Sequence, residues 1–163
     1  MKYELTEETR DVCGITLRRV RYTETGELGG WIESEKNLSQ DGNAQISGDA
    51  QISGDAQISG DARIFGNAQI FGNAQISGDA RISGDVWETS PLQIQGTKFF
   101  FSVSSKDTIT VGCTTKTITE WQITYEDDFD RYDFSPTQRI EYKLYFNLAS
   151  QLYGWGVTLP IEE

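Results

Sequence analysis

The sequence contains no histidine. Imidazole is the commonest general base and the commonest nitrogen ligand of metals, so the routes that depend on it are closed. Cysteine is almost as scarce, with only Cys13 and Cys113. A Cys₄ or Cys₂His₂ zinc site cannot be assembled within one chain from two thiols. No apolar run approaches the ~20 residues that a membrane-spanning helix needs. Positive charge is also thin: 14 Lys and Arg against 25 Asp and Glu leave 163 residues with a net charge of −11. Direct nucleic-acid or anionic-membrane binding needs clustered cations, and is not expected. The negative charge serves solubility, or forms an acidic surface for a basic partner. The opening MKYEL lacks the apolar core of a signal peptide, which predicts a cytoplasmic protein with free thiols.

A repeat fills the middle of the chain. Over residues 43–85 a six-residue unit recurs: NAQISG, DAQISG, DAQISG, DARIFG, NAQIFG, NAQISG, DARISG. Alanine falls at every sixth position from Ala44 to Ala80, and isoleucine from Ile46 to Ile82. The two lie two residues apart, so in extended chain they share one face. Gly-Asp or Gly-Asn then supplies a corner that tolerates left-handed backbone angles. This pattern predicts a parallel β-solenoid in which each coil buries its face against its neighbours. Glycine in every unit excludes a helical stripe.

The unit resembles the hexapeptide repeat of left-handed parallel β-helices, and the resemblance implies that handedness and three units per coil. Residues 18 apart then stack about 4.8 Å from one another. Asn43, Asp61 and Asp79 form one column, and Asp49, Asn67 and Asp85 another. Gln45, Arg63 and Arg81 stack, as do Ser47, Phe65 and Ser83. Phe65 and Phe71 project outward from adjacent faces, with Trp87 nearby.

The flanks read as caps. Residues 2–5 and 12–23 suggest a small β-cap. Leu38 falls in the alanine register, and Leu92 and Ile94 extend the alanine and isoleucine registers past the regular units. Phe99 to Val103 and Thr108 to Val111 read as two strands. Thr117 with Glu120, and Ser135 with Pro136 and Gln138, are helix-start signals. The second helix should reach about Tyr153 and end at Gly154. The expected organisation is an N-terminal β-cap over 1–25, a solenoid over 26–96, and a β-hairpin with a two-helix cap over 97–163.

The order LGGWIE, NLS, tandem hexapeptides, VGCTTKTITEW and a helical tail resembles small hexapeptide-repeat proteins of phage and prophage genomes, often described as polymer-forming. The resemblance implies a solenoid with a helical cap and a phage-associated origin, without one settled activity. Hexapeptide acyltransferases resemble one another in using a histidine base, which is missing here. An acyl-transfer enzyme is therefore a minor alternative. Neither a metal nor a cofactor is expected. Cys113 precedes a helix start, where a thiolate is favoured. The corner aspartates are turn formers before they are calcium ligands. Two surfaces stand out as partner-binding candidates. One is the acidic stretch with Glu126, Asp127, Asp128, Asp130 and Asp133, suited to a basic cleft. The other is the solenoid surface with Phe65, Phe71, Arg63 and Arg81. The expected function is a non-catalytic binding protein that blocks or sequesters a host component, either a defence protein or a nucleotide signal. A homo-oligomer is expected, and the alternative is a self-assembling structural solenoid.

Overall fold

A computed structural model describes residues 1–161 of the chain. The chain forms two compact units, Met1–Pro91 and a second that begins at Leu92.

In the first unit, β1 (Tyr3–Val12) and β2 (Ile15–Tyr22) form an antiparallel hairpin. Cys13 and Gly14 close it at φ 50° and 83°, as a two-residue type I′ turn requires. Val12 therefore belongs to the first strand, not to the second as its spacing suggests. β3 (Leu28–Ile32) is the switch: it pairs antiparallel with β2 and parallel with the first coil.

Each hexapeptide then gives one two-residue strand: β4 (Gln45–Ile46), β5 (Gln51–Ile52), β6 (Gln57–Ile58), β7 (Arg63–Ile64), β8 (Gln69–Ile70), β9 (Gln75–Ile76) and β10 (Arg81–Ile82). They stack in three parallel ladders, β4-β7-β10, β5-β8 and β6-β9, each residue pairing with the one 18 positions on. The alanines and isoleucines are 0–1% exposed. Corner glycines from Gly48 to Gly78 hold φ of 62–65°. At Gly60 a Cβ would also stand 2.8 Å from the nitrogen of Gly78. Both the angle and the close stacking thus demand glycine. The Asn43 amide donates to Asp61 Oδ1 at 2.8 Å, as the column predicts.

The end coils depart from the period. At the start the offset is 20: Trp31 pairs with Gln51, Ile32 with Ile52, and Leu38 with Ile58. The two additional residues are taken up after Leu38: Ser39 N–H still bonds the Ile58 carbonyl at 2.9 Å, and by Asn43, whose N–H bonds the Gly60 carbonyl at 2.9 Å, the offset is 18. Leu38 consequently fills an isoleucine position, not the alanine position expected. Gly30 stands where later coils have alanine, because a Cβ there would lie 2.4 Å from Ile46 Cγ2. At the far end the offset falls to 17, so β11 (Val86–Trp87) pairs Trp87 with Ile70. Trp87 is 8% exposed and closes the interior, its indole N–H donating to the Gly84 carbonyl at 2.8 Å.

The chain caps its own first coil. The Tyr22 hydroxyl accepts the Ile46 N–H at 2.6 Å and donates to the Ile46 carbonyl at 3.0 Å. The Asn37 amide donates to the Gly54 and Ala56 carbonyls at 3.1 and 2.9 Å. These contacts satisfy backbone groups that an open sheet edge would present to another chain.

The second unit begins earlier than residue 97. β12 (Gln93–Gln95) carries Ile94 into an antiparallel sheet with β13 (Phe100–Ser105), β14 (Thr108–Val111) and β15 (Thr114–Thr117). Leu92 and Ile94 therefore do not prolong the solenoid, and the two strands read from sequence are the middle pair of four. Helices α1 (Ile118–Arg131) and α2 (Pro136–Tyr153) follow. Thr117 accepts the Glu120 N–H while Glu120 accepts the Thr117 N–H at 2.8 Å. Ser135 and Gln138 repeat the arrangement, and Gly154 ends α2 at φ 68°. The sheet and helices bury Phe101, Trp121, Phe129, Tyr142 and Phe146.

Candidate partner-binding surfaces

The β1–β2 hairpin lies across the outer side of the ladder that β3 begins. Trp31 points outward there yet is 2% exposed. The Arg10 and Arg19 guanidinium groups stand 4.2 and 5.0 Å from its ring centroid. Such cation–π contacts are worth about 0.5–2 kcal/mol each. Arg10 also pairs with Asp49 at 3.3 Å, tying the hairpin to the coil. Between the hairpin tip and the solenoid face a groove of about 440 Å³ remains. Val12, Cys13, Ile15 and Leu17 line it from the hairpin, and Gln51, Ser53, Gln69, Phe71 and Val86 from the solenoid. No lining side chain carries a charge. Its size falls within the range of binding pockets, roughly 300–1,000 Å³. Phe71 makes the wall: the coil before it carries Ser53 at the stacked position. Two acidic residues adjoin the lining in sequence without facing it as free charges: Asp11 lies on the other face of the hairpin from Val12 and accepts the Thr16 hydroxyl at 2.7 Å, and Asp55, next to Gly54, pairs with Lys36 at 2.9 Å.

The acidic stretch is less of a surface than its sequence suggests. Asp128 is 4% exposed and binds the Lys116 ammonium, so it cannot meet a partner. Glu126 pairs with Arg139 at 3.3 Å and with the buried Lys143 at 3.0 Å. Asp130 also binds Arg139, whose pKa is held above its ordinary value by that contact. Glu120 caps α1, and the Thr117 hydrogen bonds hold its carboxyl below the usual range. Asp127 and Asp133 are exposed. The pairing residues, Lys116, Arg139 and Lys143, lie far enough along the chain that local charge counting missed them.

Of the solenoid candidates, Phe71 enters the groove, whereas Phe65 is half-buried on the neighbouring ladder's side. Arg63 and Arg81 stack in the expected column with Gln45. Cys113 sits in the two-residue turn joining β14 and β15, five residues before α1, and not at the helix N-terminus. Among the described residues no group of three or more carboxylates and thiols could hold a metal ion. No described helix is long and apolar enough to cross a membrane.

Residues 56–72 and 74–89 match the family model of the YdcK β-solenoid repeat. The chain carries a YdcK-type β-solenoid of about three turns. The matched stretches cover about a fifth of it and run from just before β6 to just after β11. The hairpin that forms the groove's other wall thus lies outside the YdcK-type segment. No curated protein matches the chain.

Proposed function

We propose that this is a non-catalytic binding protein that holds a segment of a host protein in the hairpin groove and so blocks or sequesters it. The observation that carries this reading is the groove's chemistry: an uncharged, mostly apolar lining. Such a site suits a short apolar segment. It suits a nucleotide signal poorly, because a phosphate needs a cation and none lines the groove. The resemblance of Leu28–Glu33 and the tail to phage-type proteins supports a phage or prophage origin and action in the host cytoplasm. The alternative, a self-assembling solenoid, draws on the stackable coils; the side-chain caps from Tyr22 and Asn37 weigh against it at the first coil.

Selection of a displayed peptide library on the full chain tests the proposal. Enriched peptides should share a core of four to six residues rich in Leu, Ile or Phe. Enrichment of acidic or featureless peptides, or of none, would overturn it.

A further inference from the structure

We infer that the turn of α2 carrying Asn147 and Ser150 is a peptide-recognition site, which the chain's own tail fills until a partner segment of the same chemistry displaces it. After Gly154 the chain runs back along α2, and burial alternates. Trp155 and Val157 are half-buried and Leu159 is 1% exposed, whereas Gly156, Thr158 and Pro160 face solvent. Such alternation marks an extended segment with one face inward. Side chains of the helix hold it, not a neighbouring strand. The Asn147 carboxamide accepts the Leu159 N–H at 2.7 Å and donates to the Leu159 carbonyl at 3.0 Å. The Ser150 hydroxyl accepts the Val157 N–H at 3.0 Å. Asn147 and Ser150 stand at i and i+3, hence on one face of the helix.

The tail shows what the site takes. The three hydrogen bonds go to main-chain groups, which any extended peptide offers at the same spacing. Side-chain choice is left to the cleft around Leu159, since Thr158 and Pro160 face away. The partner is therefore a protein segment that runs extended and carries a leucine two residues after a β-branched residue, as Leu159 follows Val157. With the tail gone, the Asn147 carboxamide and the Ser150 hydroxyl lose these partners beside the emptied cleft, and a segment of that chemistry restores both. The tether permits the exchange. Trp155 stays in place, its indole N–H on the Lys106 carbonyl and its ring stacked on Tyr153. Gly156 is the hinge: its φ is 71°, and a Cβ there would meet nothing within 4 Å. Residues 157–161 belong to no helix or strand, so their release leaves every element intact.

Fluorescence anisotropy with a labelled peptide of residues 155–161 tests this on the full chain. Leu159→Ser empties the cleft of its own leucine, and that chain should bind the peptide to saturation. The wild type should bind it at least ~10-fold more weakly, because a tail on a short tether competes at an effective concentration of millimolar order. Adding Asn147→Leu to Leu159→Ser should weaken the peptide at least ~10-fold, as should serine in place of the peptide's own leucine. If Leu159→Ser unfolds, the wild type supplies the second test. With the peptide at ~2 mM, its Val157 and Leu159 amide resonances should move to random-coil positions. A folded Leu159→Ser chain that ignores the peptide, binding indifferent to Asn147→Leu, or wild-type tail resonances that stay in place would overturn the inference.

Discussion

Replacing Ile64 by Ala tests whether the solenoid interior is a close-packed column. Ile64 is 1% exposed and lies between Ile46 and Ile82 in the β4-β7-β10 ladder. The substitution removes three carbons, and at about 0.8 kcal/mol for each the lost transfer term is about 2.4 kcal/mol. The vacated space adds a cavity cost to the extent that the neighbours fail to close in. Here they are held: Ser47 N–H bonds the Ile64 carbonyl at 2.8 Å, and Phe65 N–H bonds the Ile82 carbonyl at 2.9 Å. Ladder hydrogen bonds fix the spacing above and below, so collapse is limited and the total should reach about 3–4 kcal/mol. Urea unfolding followed by far-ultraviolet circular dichroism and tryptophan fluorescence measures it. Arg63→Ala, one residue away and exposed, is the control and should stay within about 0.5 kcal/mol. A loss below about 1 kcal/mol for Ile64→Ala would refute a packed isoleucine column.

Tyr22→Phe removes both hydrogen bonds that cap Ile46 and should cost about 1–2 kcal/mol in the same unfolding assay. Asp128→Ala strands the Lys116 ammonium and should cost about 2–3 kcal/mol, whereas the exposed Asp127→Ala should change little; paired melting curves distinguish them. Burial pushes the Tyr3 phenol up to about 12, and burial with the Glu141 hydrogen bond does the same for Tyr145. An unfolded tyrosine releases its proton near pH 10.0. Between pH 10 and about 12 the unfolded chain thus binds fewer protons than the folded one, and stability falls as pH rises. Melting temperature followed over that window should decline, and Tyr145→Phe should flatten the decline.

Much of this fold is written in the repeat. A six-residue period with Ala and Ile two apart determines strand, face and coil size together, and the 18-residue register of Gln45, Arg63 and Arg81 follows from it. Both helices are equally legible because their caps are local: Thr117 with Glu120 and Ser135 with Gln138 lie within four residues of each other. The end coils were not legible. The offset of 20 at Leu38 and of 17 at Trp87 leaves the apolar spacing plausible in either register. Only the stacked neighbour decides which is used. Ile94 likewise fits two patterns, and pairing with Phe101 settles it. The groove was half visible. Phe71 departs from the serine of its column, a signal in the sequence, but nothing local says that the hairpin of Val12 to Leu17 lies over it. The acidic stretch misled for the reverse reason, since its counter-charges Lys116, Arg139 and Lys143 come from other elements.

The central claim is that the groove between hairpin and solenoid holds the partner segment. Cys13 lines that groove and is exposed, so a bimane group attached to it in a Cys113→Ser background reports on occupancy. Phe71→Ser restores the residue that most units of the repeat carry there, so the fold should be kept to within about 0.5 kcal/mol. Titration of the labelled protein with a library-selected peptide should shift the bimane emission to the blue and saturate. Phe71→Ser should weaken the peptide at least ~10-fold, the expected loss for an apolar anchor in a pocket. A peptide that binds the wild type and Phe71→Ser equally, while leaving the probe unchanged, would contradict the account.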